Sequence, residues 1–431
     1  MMSSIALELP GTPRFHPSRV VSHGLILGAP YQRPAGTTGN VAYELGYCVQ
    51  LDPDHALLVA SLDEQGGGDL CVGNDAYVFK QLSDIRPECA IPVNRVDTSY
   101  KMRDGRTAFL AKFPAKTGFI PLGAKLPGGE SHPAAGTGFL LSSCVTFSSD
   151  KTSALKAPET FIEMINIRWD GNAISFSEPA ILRELHGLPL NGDTGVTQFC
   201  PHDKGLLVPM GITKQGICVF YFEWDGEKWQ AISHGTPFCT NPGSTKPALP
   251  GEPWAYTPGE SEASLRRSNG RYFLFARGTD PVGRLYGSSN GLDYRLLCER
   301  ASVTVPQVLN QGLDGSLYLA TNPGPGWLRN PLVAYDPTGE ESDGLILHDQ
   351  EGIRDDQGSS IPFVDHAISV NVQLEGRKRH LLFYRVCDLK ERTLHKFQID
   401  EGQHERLYGE AGPISKRRTT GLYLIELEFS S

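Results

Sequence analysis

Ser264-Leu265-Arg266-Arg267-Ser268-Asn269-Gly270-Arg271-Tyr272-Phe273-Leu274-Phe275-Ala276-Arg277 is the stretch on which the fold turns. A short run to Arg267 stops at Ser268-Asn269-Gly270, the residues of a two-residue hairpin turn, and a denser apolar run follows. A second hairpin comes after it and ends in Ser288-Ser289-Asn290-Gly291-Leu292-Asp293-Tyr294. The same unit recurs outward in both directions. It runs from Tyr47 through the turn Asp52-Pro53-Asp54-His55, from Tyr100 through Asp104-Gly105, and from Val196 through Asp203-Lys204-Gly205. It returns from Val303 through Asp314-Gly315 and from Ser369 through Glu375-Gly376. Helical periodicity is almost absent. This recurrence predicts an all-β chain, a six-bladed β-propeller of four-stranded antiparallel blades forming one domain over residues 1–431. Gly73-Asn74-Asp75-Ala76-Tyr77 and Trp224-Asp225-Gly226-Glu227-Lys228-Trp229 read as further turns followed by an aromatic that packs between blades. The second unit carries a long Gly/Pro-rich insertion around 114–138, including Gly128-Gly129-Glu130-Ser131-His132-Pro133.

Composition narrows the function. The 431 residues carry a formal net charge of −9 and no long basic run, which argues against nucleic acid or an anionic membrane as general partners. No apolar run approaches the roughly 20 residues that span a bilayer. The first residues, Met1-Met2-Ser3-Ser4-Ile5, lack a basic and apolar leader, so the expectation is a cytoplasmic protein. Nine cysteines lie singly between Cys48 and Cys387 without C-x-x-C spacing, which favours free thiols over a disulfide framework or zinc. No metal-ligand spacing is seen, and no cofactor is expected. Oligomeric state is open.

Blade topology predicts which residues share a face. If the turns after each first strand point down, the loops after the second strands point up, beside the starts of the innermost strands. The upper loops are then Asp63-Glu64-Gln65-Gly66-Gly67-Gly68-Asp69, Arg277-Gly278-Thr279-Asp280, Asn322 to Arg329 with Trp327, and Arg385-Val386-Cys387-Asp388. The strand starts add Glu262 and Asp365-His366. Charged and aromatic groups thus converge on one end of the axis, where a concave site forms by default. His366 is of the residue type that serves as a general base, or it is a packing residue at a strand start. Trp254, Tyr256 and Trp327 either stack on sugar rings or pack blades, and His202 reads as a surface residue of a lower turn.

The segment from Glu260 to Asp336 resembles the central blades of sialidases (neuraminidases). It holds, in that family's order, Glu260 or Glu262, Asn269-Gly270, Arg277, the degenerate Asp-box Ser288-Ser289-Asn290-Gly291, Asn322-Pro323 and Arg329. Tyr31-Gln32-Arg33-Pro34 resembles the family's Arg-Ile-Pro element, and Asp63-Glu64 lies where the family keeps an acidic catalytic loop. The resemblance implies a triad of Arg33, Arg277 and Arg329 gripping a substrate carboxylate, a task that suits three planar cationic forks. Two departures matter: the Asp-boxes are eroded, and the nucleophile is missing. The family's nucleophilic tyrosine would stand near Ile368, in Val364-Asp365-His366-Ala367-Ile368-Ser369.

The expected function is an exo-acting glycoside hydrolase of the sialidase-like type, acting on an oligosaccharide that carries an acidic sugar. The candidate catalytic residues are Asp63, Glu262, Asp365 and His366, with Glu64 and Asp69 as further acids; Arg33, Arg277, Trp327, Arg329 and Arg385 would bind substrate. Elimination on a uronic acid with His366 as base, and a non-catalytic glycan-binding propeller, remain alternatives.

Overall fold

The structure is a computed structural model that describes residues 15, 17–28, 41–64, 71–147, 159–245, 256–257, 259–280, 282–301, 305–323, 329–338, 344–349, 353–355, 358–390 and 421–429. The chain is all-β in a propeller arrangement, with two three-residue 3-10 turns as its helical content among the described residues. No helix there is long and apolar enough to cross a membrane.

The deciding hairpin forms as read. Glu260–Ser268 pairs antiparallel with Arg271–Gly278, and Ser268 faces Arg271 across the turn. Asn269 and Gly270 both take positive φ (47° and 76°), the left-handed pair that a tight hairpin needs. The strand Arg271–Gly278 is buried along most of its length because it lies mid-sheet with neighbouring sheets on both faces. Val282–Ser288 and Arg295–Ala301 complete a four-stranded sheet. Two more sheets repeat this order: Cys200–His202, Gly205–Ile212, Gly216–Trp224 and Trp229–His234, then Val308–Gln311, Leu317–Thr321, Leu332–Tyr335 and Leu345–His348. A five-stranded sheet joins the two ends of the described chain. Its strand Pro17–Gly28 pairs with Gly421–Phe429, which continues through Arg377–Lys390 and Gly358–Leu374 to Ile353–Asp355. Joining the chain's ends within one sheet ties the ring shut.

Four sheets therefore stand as separate blades, which corrects the expected six. The strands between Val41 and Leu182 lie in one eleven-stranded sheet. Its two antiparallel parts meet through a parallel pairing of Val72 with Lys112. Asn74 stitches that seam: its side chain donates to the Phe113 carbonyl at 3.1 Å and accepts the Ala115 N–H at 2.9 Å. This also corrects the reading of Gly73-Asn74-Asp75-Ala76-Tyr77 as a turn, since the segment lies inside the buried strand Cys71–Phe79. Buried polar side chains with dedicated partners looked, in sequence, like turn residues. The 114–138 stretch contains a strand of its own, Lys116–Ile120, paired with Thr137–Phe147. The Gly/Pro-rich residues between them form a compact loop in which Lys125 bridges Ser131.

Cores lie between adjacent sheets. Phe139, Phe220, Phe222 and Trp229 fill one of them, and Leu58, Phe109, Phe383 and Leu422 another. On the axis, Leu45, Tyr47, Val196, Val308 and Ile368 make a separate apolar plug. Along these strands it lies between the bulges at Glu44 and His366 and the residues Val49 and Val370 farther on.

Candidate active site

Three innermost strands are interrupted in the same way. Pairing slips between Tyr43 and Gly46, between Ser261 and Ser264, and between Asp365 and Ile368. Each slip is a bulge that re-aims the residues within it. Glu44-Leu45, Glu262-Ala263 and His366-Ala367 occupy these bulges. Glu262 (φ 51°) and His366 (φ 52°) sit in the left-handed region, which costs a side-chain-bearing residue energy that the rest of the fold must supply. The chain accepts this strain where it turns a carboxylate and an imidazole out of the sheet.

Glu262 is a partly exposed acid of this end. Nη1 of Arg277 donates to both its oxygens at 2.8 Å. Desolvation pushes its pKa up, but the charge of Arg277, with His366 and Arg329 behind it, pulls it down to about 2. Arg277 and Arg329 thus act on one carboxylate from the same end of the axis. Asp365 is wholly buried. Arg385 donates to it from Nε at 2.8 Å and from Nη2 at 2.9 Å, and Arg329 donates to its Oδ2. Against the cost of burial, the charges of Arg385, His366 and Arg329 hold Asp365 well below the usual carboxylate range. Nδ1 of His366 lies 3.1 Å from Asp365 Oδ1. Arg385 also reaches Glu44 at 3.3 Å.

Three groups at this end escaped the sequence reading. Asp193 accepts the backbone N–H groups of Glu262 and Gly195 at 2.8 and 2.9 Å. Burial raises its pKa, opposed by Lys116 and by those two N–H groups, while the charge of Glu262 adds to the rise. Lys116 is buried on its strand, where desolvation lowers its pKa against the charges of Asp193, Cys71 and Glu262. Tyr47 tops the plug; burial, and then Glu262 and Asp193, keep its phenol protonated. The signals were faint. Asp193 sat in Asn191-Gly192-Asp193-Thr194-Gly195, which reads as a loop, and Lys116 in a stretch taken for an insertion.

The other sequence candidates fall differently. Asp63 has no exposed surface and stands on a central strand, so it is not placed to touch a substrate. Its carboxylate, that of Glu44 and the Cys71 thiol bring their ligand atoms within 4.8 Å of one another, a buried trio with the donor types for a cation. Arg385 already occupies one side of Glu44. Arg385 itself is committed to Asp365 and Glu44 and braces the site from behind. His202 packs between Tyr221 and Tyr272 and meets the Tyr272 hydroxyl at 2.6 Å, so it is an inter-blade residue and not a surface one. Arg33, Asp69, Trp254 and Trp327 lie outside the described residues.

No family model and no curated protein sequence matches the chain. Solved structures do. The sialidase of Trypanosoma rangeli in complex with sialic acid aligns with a TM-score of 0.51 at 11% identity, covering 96% of this chain and 59% of its own. A variant of the NanB sialidase of Streptococcus pneumoniae aligns with a TM-score of 0.51 at 9% identity, over 93% of this chain and 70% of its own. A protein of unknown function from Dyadobacter fermentans gives 0.51 at 11% identity, over 98% of this chain and all of its own. The chain thus spans about three fifths of the trypanosomal enzyme. At such identities the likeness speaks to architecture alone, and what it establishes is a divergent sialidase-like fold.

Proposed function

We propose that the chain is an exo-acting glycoside hydrolase for a glycan ending in an acidic sugar. The observation that carries this is a pair of neighbouring acids driven in opposite directions: Asp193 is raised and Glu262 is lowered to about 2, with Arg277 and Arg329 beside them. Oppositely shifted carboxyls are what a proton donor and an ionised partner require. In this reading Arg277 and Arg329 hold the sugar carboxylate. Asp193 gives its proton to the leaving glycosidic oxygen, and ionised Glu262 faces the positive charge that grows on the ring. Water then adds to the anomeric carbon, and its proton restores Asp193. Lys116 keeps Asp193 from rising too far.

The Asp365–His366 contact supports a second reading, proton abstraction from a uronic acid with His366 as base and elimination of the glycosidic oxygen. One assay separates the two. Incubation with sialosides and with uronic-acid glycosides should release a saturated reducing sugar and no ultraviolet-absorbing unsaturated product. An unsaturated product that vanishes in His366→Ala but not in Asp193→Asn would overturn the hydrolase reading in favour of elimination.

A further inference from the structure

The innermost strands that end in the charged site also run down to the opposite face, past the apolar plug. Arg266 lies four residues beyond Glu262, about 13 Å of extended strand. There it lines a cavity of about 410 Å³ whose apolar walls include Val49, Phe119, Phe199, Leu265 and Val370. This volume falls within the range of small-molecule sites.

Arg266 is nine-tenths buried, and among the described residues no carboxylate pairs with it. Its bonds go to neutral oxygens: Nη1 to the Leu265 carbonyl at 3.2 Å, and Nη2 to Gln198 Oε1 at 3.0 Å and the Ser369 carbonyl at 3.3 Å. Three of its five N–H groups are thereby used, leaving Nε–H and one Nη1–H. The amides around the cavity are committed elsewhere. Gln198 donates to the Cys48 carbonyl, Gln311 to the Arg267 carbonyl, and Asn371 to the carbonyls of Gln311 and Gly312. Elsewhere in the molecule buried arginines come with acids, as Arg329 and Arg385 do with Asp365, Arg284 with Asp280, and Arg379 with Glu426. A buried cation without a counter-charge is costly, and an anion that enters its cavity recovers that cost.

We propose that this cavity is a second binding site, specific for a small carboxylate with an apolar body. The carboxylate meets the spare N–H groups of Arg266, and the body lies against Phe119, Phe199, Leu265 and Val370. The plug separates this site from the charged end, so it takes a different molecule from the glycan.

Calorimetric titration of the whole chain tests this with 4-phenylbutyrate, its neutral counterpart 4-phenylbutanol, and inorganic phosphate. The acid should bind at least tenfold more tightly than the alcohol. Arg266→Met should bring the acid down to the alcohol's affinity, Val370→Trp should abolish both, and Arg277→Ala should change neither. Equal binding of acid and alcohol to the wild type would overturn the proposal, and so would acid binding that persists in Arg266→Met or disappears in Arg277→Ala. Phosphate binding as tight as the acid's would overturn the apolar half of it. Should Arg266→Met fail to fold, Val370→Trp and the acid–alcohol comparison in the wild type decide alone.

Discussion

The two ends of the axis are made from the same strands and balance charge in opposite ways. At the upper end every described arginine meets an acid: Arg277 with Glu262, and Arg329 and Arg385 with Asp365. At the lower end Arg266 has neutral oxygens only. The backbone explains part of the contrast. The bulge at Glu262 sits near the start of Glu260–Ser268 and the one at His366 in the middle of Gly358–Leu374, and beyond them pairing is regular, through Leu265–Leu274 and onward. Backbone strain and ion pairs thus distinguish the upper end, and regular pairing, an apolar wall and the buried Arg266 without a counter-charge distinguish the lower.

The largest effect should come from removing the ionised acid. Glu262→Gln leaves the size of the side chain but not its charge, and it takes from Arg277 its anionic partner. On whichever acidic glycoside the wild type cleaves, kcat should fall by about 10²–10⁴-fold, the usual worth of a positioned acid or base. A variant that keeps most of its activity would reduce the upper end to a structural salt-bridge cluster. Asp193→Asn tests the partner acid differently: besides losing rate, it should lose the alkaline fall of the wild-type pH profile, because that fall reports deprotonation of a raised carboxyl.

Stability should separate the ends next. Asp365→Asn strands two buried arginines and should cost about 3–5 kcal/mol in chemical denaturation at neutral pH, the scale of breaking a buried pair. The pH dependence follows from the direction of the shifts. Asp365 and Glu262 are both depressed in the folded state, so the stability they contribute is present above their unfolded values, about 3.9 and 4.3, and is lost as pH falls through the lower folded values. Wild type and Asp365→Asn should therefore differ most above about pH 4.5 and converge in strong acid. A constant gap across that range would mean that packing, and not charge, sets the difference.

Arg277→Ala should act on affinity more than on fold, because Arg277 stands in the open part of the upper end. A weakening of about 1.5–3 kcal/mol for an acidic sugar, and none for its neutral analogue, is the size of a charge-assisted hydrogen bond. Equal losses for both sugars would break the carboxylate-clamp idea while leaving the fold untouched.

The elements legible in the sequence were those whose reason is local. Asn269-Gly270 specifies its turn by backbone conformation alone, and the runs around it alternate or saturate as strands must. The position of Glu262 near a strand start could be counted off from such turns, whereas Asp365 and His366, expected at a strand start, lie in the middle of Gly358–Leu374, which runs on well before them. What stayed hidden depends on neighbours distant in the chain. Asn74 and Asp75 have the composition of a turn, and only partners such as Phe113 and Arg95 make them strand residues. Asp193 and Lys116 acquire their shifts from burial among chain segments distant in sequence, and their mutual charge only tempers those shifts, which no single-sequence pattern records. The blade count was obscured for a similar reason, since one parallel pairing at Val72 fuses what the repeat pattern separates.

The smallest effect expected is at the plug between the two ends, and it bears on the missing tyrosine. Ile368 stands about where the sialidase resemblance would put a nucleophile, yet it lies two residues past His366 on the regular side of the bulge. Its side chain is fully buried against Leu45, Tyr47, Val196 and Val308. Position 366 turns toward the site and position 368 into the plug, so a tyrosine placed at 368 would bury its ring in space already filled by Leu45, Tyr47, Val196 and Val308. The family's covalent step has no foothold at this position. Ile368→Val removes one methylene and should cost about 0.5–1.5 kcal/mol of stability, with kcat on an acidic glycoside unchanged. Ile368→Tyr should destabilise by about 1–3 kcal/mol through overpacking and should form no covalent adduct with a fluorinated acidic sugar. A trapped adduct on that introduced tyrosine, or a kcat that moves with Ile368→Val, would show that the plug belongs to the catalytic end after all and that the two ends of the axis are one site.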